Sequence, residues 1–325
     1  MNSRSRTQHV VNRVIASGLP LLTLGENRLS ILIFHRVLES YDFMRPDEIT
    51  ADEFDKKMEL IKKYFTPLPL NEAIDKLKEG SLPKRAICIT FDDGYRDNAE
   101  VAYPILKKWN IPATFFIATG FLNDGRMWND TVIETIRVCS KNELDLSKLG
   151  LGLFKLGTRQ QREQSAQKII QNIKHSPQDE RAKMVEAIAS HTSLLPNNLM
   201  MEAKQVAMLS ENGMEIGGHT VTHPILATLS ADKVEQEIAQ GKTTLENLIQ
   251  RPVTSFAYPN GKPGQDYLLE HADIVKQLGF KAAVSTKWGV SDSKTDRFQL
   301  NRFTPWDKSE SRFMLRLSMN LLNVS

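Results

Sequence analysis

Cysteine is scarce: the 325 residues carry only Cys88 and Cys139, neither in a CxxC pair. Two cysteines cannot build a disulfide framework, which excludes the small stapled scaffolds of secreted proteins. Cys88 sits inside the apolar run Ala86-Ile87-Cys88-Ile89 and reads as a buried small hydrophobe. Long hydrophobic runs are also missing. The apolar stretch from Val10 to Leu24 is broken by Asn12, Arg13, Ser17, Gly18 and Pro20, and no small-residue cleavage site follows it. It reads neither as a secretory signal nor as a spanning helix, which needs about 20 apolar residues. The expectation is a cytoplasmic protein, with peripheral attachment to the inner membrane as a variant. Charge of one sign is not concentrated either: Lys and Arg number 42 against 39 Asp and Glu, for a net charge of +3. Phosphate backbones call for a basic stripe, so nucleic acid is not an expected partner.

What the chain does have is alternation. Ser30–Phe34 reads as a buried strand, and Phe54, Met58, Ile61 and Phe65 follow at helical spacing across Ala51–Phe65. Strand Ala86–Phe91, helix Asn98–Trp109 and strand Ala113–Ile117 come next. Later the rhythm resumes with strand Met214–Gly217, helix Ser230–Ile249, strand Val253–Ala257, helix Tyr267–Leu278 and strand Lys281–Val284. Strands alternating with helices imply parallel pairing with helices outside, and seven or eight such units would close a barrel. The expected organisation is an N-terminal segment 1–28, an α/β barrel over 29–306 and a C-terminal tail 307–325. A mostly helical insertion over about 123–201 interrupts the barrel. Trp128, near the start of that insertion, either lines a sugar site or anchors the insertion to the barrel.

Chemistry collects at strand ends, where barrel enzymes keep it. The first cluster is Thr90-Phe91-Asp92-Asp93-Gly94-Tyr95. Two adjacent carboxylates repel one another and are costly to desolvate, and a nearby cation relieves both problems. The same residues also make good turn chemistry. The second cluster is His219-Thr220-Val221-Thr222-His223-Pro224. Imidazoles at i and i+4 can converge on one ion such as zinc. Thr220 stands where a His-Glu-x-x-His metalloprotease needs its base, so that class is excluded. Together with Asp93, the pair supplies two nitrogens and one oxygen and leaves a coordination position free, as catalytic sites do. The third cluster is Ser255-Phe256-Ala257-Tyr258-Pro259-Asn260-Gly261, a turn whose backbone N–H groups can also face an oxyanion.

In this order the three clusters resemble the polysaccharide deacetylases with a NodB homology domain, carbohydrate esterase family four, over roughly Ser30 to Trp306. The resemblance implies a distorted (β/α) barrel of the NodB type holding a divalent metal, usually zinc. It further implies Asp92 as general base, Asp93, His219 and His223 as metal ligands, and Asn260 as the backbone oxyanion donor, with Tyr258 beside it at the substrate. Two departures stand out. Ala257 replaces the arginine that pairs with the base in many members, and the late strand Ala283-Val284-Ser285-Thr286 lacks the histidine that supplies their acid. A subgroup resembling the exopolysaccharide deacetylases carries an early Tyr-His-x-Val instead. Phe34-His35-Arg36-Val37 fits that pattern and makes His35 the candidate acid. Arg302 is the candidate substitute for the missing arginine.

The expected activity is removal of N-acetyl groups from amino sugars of a glycan, with acetate released. Two alternatives come from other features. Phe313, Met314, Leu317, Leu321 and Leu322, with Arg312 and Arg316, can form a basic amphipathic helix. On a membrane surface that helix would suit a deformylase or deacetylase of a lipid-linked sugar; otherwise it packs on its own barrel. The absent late histidine admits a glycan-binding barrel without catalysis.

Overall fold

The computed structural model describes residues 27–322, so the expectations for Val10–Leu24 lie outside the described residues. Leu29–Phe34 pairs in parallel with Ala86–Phe91 from Leu29 opposite Ala86 to Phe34 opposite Phe91. Both strands are buried at every residue, as required of a parallel sheet covered on both faces. The sheet continues through Ala113–Ile117, Glu215–Gly218, Ser255–Ala257, Ala282–Trp288 and Leu300–Arg302, all parallel. It curls back on itself where Ile33 N–H donates to the Phe303 carbonyl at 3.1 Å and Phe303 N–H donates to that of Ile31 at 2.7 Å. A distorted (β/α) barrel of the NodB type results, as expected.

Side chains divide by strand period. Leu32, Phe34, Ile87, Ile89, Phe91 and Phe115 pack against outer helices such as Ala51–Tyr64. That helix starts with a capping box between Thr50 and Glu53. The rings of Phe34, Phe91 and Phe115 stack at 5.5 and 4.9 Å, one step below the strand ends that carry His35 and Asp92. The opposite face, with Ile31, Cys88, Phe116 and Val284, packs with Leu70, Ala73, Ile74 and Leu77. These belong to helix Leu70–Glu79, absent from the sequence reading although its apolar spacing is helical. Its preceding residue, Pro69, offers no side-chain cap. Glu215 caps it from another strand, accepting from the N–H groups of Leu70 and Asn71 at 3.0 and 3.2 Å.

The insertion holds helices Trp128–Val138, Arg159–Ile173 and Gln178–Ala189. It also contains a hairpin that the helical expectation missed, Glu143–Asp145 against Leu153–Lys155. Each strand is three residues long, with only Leu144 and Phe154 buried. Alternation that short leaves almost no signal in sequence. The insertion has its own apolar cluster, including Ile136, Phe154, Ile169 and Ile188. A buried polar network ties it to the barrel: Arg45 reaches Asp130 at 2.8 Å and Glu134 at 2.7 Å, and the Tyr95 hydroxyl donates to Asp130 at 2.9 Å.

The C-terminal helix Glu310–Leu322 gives no support to the membrane-facing version of the tail. Phe313, Met314, Leu317 and Leu321 are buried in the main core of the barrel. Apolar residues already covered by protein cannot enter a lipid interface. No helix among the described residues is long and apolar enough to cross a membrane.

Candidate active site

Each motif lies just beyond the carboxyl end of a strand. His35 follows Leu29–Phe34, the Asp92-Asp93 pair follows Ala86–Phe91, His219 follows Glu215–Gly218, Asn260 follows Ser255–Ala257, and Arg302 ends its own strand. Barrel closure brings His35, Asp92, Asp93, His219, His223 and Asn260 onto one cleft of about 230 Å³.

Asp93 Oδ1 lies 3.4 Å from His219 Nε2 and 3.3 Å from His223 Nε2. The donor atoms of all three residues fall within 4.8 Å of one another. His219 Nδ1 is 2.7 Å from the Ala257 carbonyl. That nitrogen therefore carries a proton, so in the neutral ring Nε2 turns a lone pair toward the carboxylate. Burial opposes protonation there, and Asp93 and Asp92 outweigh it and raise the His219 pKa. Asp93 Oδ1 is buried without a hydrogen bond, and neutral rings that face it with lone pairs would repel it. A cation between them resolves the conflict, so the residues fit a divalent metal with two nitrogens and one oxygen. Burial holds His223 neutral, its pKa pushed down to about 4, which is the state a ligand needs. Burial acts to raise the Asp93 pKa, and the positive charge that the facing imidazoles carry when protonated, His223 foremost, outweighs it and lowers the pKa.

The backbone here is strained. Asp93, Thr220, His223 and Asn260 have φ of 76°, 67°, 54° and 59°, in the left-handed region that costs a non-glycine residue, a β-branched one most of all. Glu237, from helix Ala231–Ile249, holds the histidine loop in place. Its carboxylate accepts from Val221 N–H at 2.9 Å, Thr222 N–H at 2.8 Å and the Thr222 hydroxyl at 2.7 Å. Gly241 lets the same helix come close, since a Cβ there would meet the Thr220 carbonyl oxygen at 3.0 Å. The sequence reading missed Glu237 because its only signal is an acid on a polar helix face, as on any solvated helix.

Arg302 grips Asp92 with both ends of its fork, Nη1 to Oδ1 at 2.7 Å and Nη2 to Oδ2 at 2.8 Å. Its Nε donates to the Ser285 carbonyl at 2.7 Å. The arginine that Ala257 lacks is thus supplied by the last strand. Burial tends to raise the Asp92 pKa, and Arg302 more than reverses it, leaving the carboxylate ionised. Asn260 also stands at the cleft, and among the described residues its backbone N–H donates to no protein group. Tyr258 does not reach the cleft, which corrects its assignment to the substrate. It is fully buried, stacked on Tyr267 at 3.7 Å, with its hydroxyl donating to the Phe298 carbonyl at 3.0 Å. Strand alternation puts Tyr258 on the face of Phe256, in the core under the outer helices, and the left-handed backbone at Asn260 breaks that alternation.

A family model described as polysaccharide deacetylase matches residues 79–283. The chain belongs to that family. Among known proteins, this polysaccharide deacetylase family member is 34% identical over 151 residues to the poly-beta-1,6-N-acetyl-D-glucosamine N-deacetylase of Staphylococcus aureus, covering 42% of this chain. It spans about half the length of that relative, 50%. Among solved structures it resembles Streptococcus pyogenes deacetylase PplD in complex with acetate, with a TM-score of 0.61 and 20% identity, covering 90% of this chain and 98% of that one. It also resembles IcaB from Ammonifex degensii, with a TM-score of 0.56 and 18% identity over 90% and 98% of the two chains. At these identities the two structures speak for the fold.

Proposed function

We propose that this protein is a divalent-metal-dependent hydrolase that removes N-acetyl groups from the amino sugars of a glycan and releases acetate. The S. aureus relative, named for a β-1,6-linked N-acetylglucosamine polymer, supports a polymer of N-acetylated sugars as the substrate class. The observation that carries the reading is the buried Asp93 oxygen that faces two imidazole nitrogens at 3.4 and 3.3 Å without a hydrogen bond. A divalent ion, zinc by its ligand set, would when bound polarise the acetyl carbonyl and the attacking water.

The chain's own groups supply the rest. Asp92, ionised and held by Arg302, takes a proton from the water as its oxygen forms a bond to the acetyl carbon. The Asn260 N–H faces the oxygen on which charge develops. His35 delivers a proton to the sugar nitrogen as the C–N bond breaks, because an amide nitrogen is otherwise a poor leaving group. Amide and water become acetate and a free amine. The test is acetate release from N-acetylglucosamine oligomers by zinc-loaded protein, with chelator as control. Metal-independent release, or none from any N-acetylated glycan, would refute the proposal.

A further inference from the structure

The cleft has a second wall, which none of the catalytic groups uses. It comes from the insertion and carries Trp128, Asn129, Lys174 and Arg181. Four arginines are buried among the described residues: Arg36, Arg45, Arg181 and Arg302. Arg36 pairs with Asp97, Arg45 with Asp130 and Glu134, and Arg302 with Asp92. Arg181 has no carboxylate. At 7% exposure it is more buried than Arg36 and Arg45, yet its side-chain contacts are the Lys174 carbonyl at 2.9 Å and the Trp128 ring, 4.9 Å from the guanidinium carbon. Burial lowers its pKa with no counter-charge to restore it.

A buried guanidinium without an anion is costly, and proteins ordinarily pair it. The ring of Trp128 fixes the plane of the fork. Lys174, half-buried, adds a second positive charge to the same wall. The acids across the cleft do not answer these charges: Asp92 is taken by Arg302, and Asp93 faces the histidines. Asn129 adds a buried Oδ1 without a partner, an acceptor for a sugar hydroxyl.

We propose that Arg181 and Lys174 bind an anionic substituent, a carboxylate or a phosphodiester, on the glycan whose N-acetyl group sits at the metal site. The insertion then selects among glycans, and the barrel does the chemistry. Planar bidentate recognition of carboxylate or phosphate is what an arginine fork does best. Trp128 lines the cleft and holds Arg181, and it packs with the insertion's own apolar cluster.

The proposal rests on the deacetylase reading for the substrate to be a glycan, and its test separates the two. Binding is measured calorimetrically with oligouronates that carry no N-acetyl group and with the same oligomers after carboxyl reduction. A second arm compares a phosphodiester-linked glycan oligomer with its dephosphorylated sugars. Kinetics are measured in parallel on N-acetylated oligomers with and without uronate. One anionic class should bind about tenfold or more tightly than its neutral counterpart, and the preference should shrink as salt rises. Arg181→Gln should remove that preference, and Arg181→Lys should keep part of it. Should Arg181→Gln fail to fold, Lys174→Gln on the half-exposed side chain carries the test, with a loss of about threefold. Equal binding of anionic and neutral oligomers, or a preference surviving Arg181→Gln, overturns the proposal. Anion-selective binding with no acetate from any glycan sinks the hydrolase reading and leaves this one standing.

Discussion

Replacing Arg302 with glutamine tests the link between the last strand and the base. Asp92 is 2% exposed and Arg302 is 1% exposed, and the two make paired hydrogen bonds of 2.7 and 2.8 Å. Removing one partner of such a pair leaves an uncompensated buried charge, a loss of about 3–5 kcal/mol. For a chain of this length that is roughly 4–7 °C in melting temperature. The loss depends on pH in a defined direction. In the native protein the Asp92 pKa is lowered, so its pairing contributes stability above the unfolded value of about 3.9 and gives it up as pH falls through the folded value. In Arg302→Gln burial is opposed only by His219 and His35, and the folded pKa is expected to rise above the unfolded one. The penalty then grows as pH climbs past about 4, and the two melting curves approach each other in acid. Activity should follow the same logic. A base that must be ionised moves the acidic limb of the pH–rate profile to higher pH, and kcat/KM at neutral pH drops by about 100-fold. Calorimetric melting at several pH values and a pH profile of acetate release measure both effects. A variant that melts within about 2 °C of the parent, with its acidic limb unmoved, would show that Arg302 does not govern Asp92.

Asp92→Asn should retain metal through dialysis while losing about 100-fold or more in rate; near-normal turnover would remove Asp92 from the role of base. His35→Ala should slow amide hydrolysis more than hydrolysis of an activated ester, whose leaving group needs no proton; equal losses would make His35 structural. Glu237→Ala should weaken metal affinity by about 10-fold by releasing the Val221–Thr222 loop, read from metal content against a competing chelator. Phe313→Ala should cost about 3–5 kcal/mol in denaturant unfolding, because Phe313 is fully buried against the barrel, whereas a lipid-facing residue would leave the stability of the free protein nearly unchanged.

Much of the site is legible in the chain because its chemistry is local. Asp92 with Asp93, His219 with His223, and the turn around Asn260 are each a few residues long and stand directly after a strand. Strand, turn and reactive group are therefore read together, and strand–helix alternation already places all strand ends at one mouth of a barrel. Two elements were lost: the hairpin Glu143–Asp145 with Leu153–Lys155, too short to show a period, and helix Leu70–Glu79, which has no local cap and takes it from Glu215 on another strand.

Which charges meet is a different question, and the linear order does not contain it. Arg302 lies 210 positions from Asp92, and only closing the barrel sets its fork against that carboxylate instead of leaving it one strand-end arginine among many. The amphipathic pattern of Glu310–Leu322 is equally good for lipid or for protein, and packing decided for the barrel. Arg181 reads as one more cation on a helix until the fold buries it against Trp128 with no acid in reach. Residue type and spacing prescribe what a side chain can do, and the solvent and neighbours that decide what it does are assigned when the chain folds.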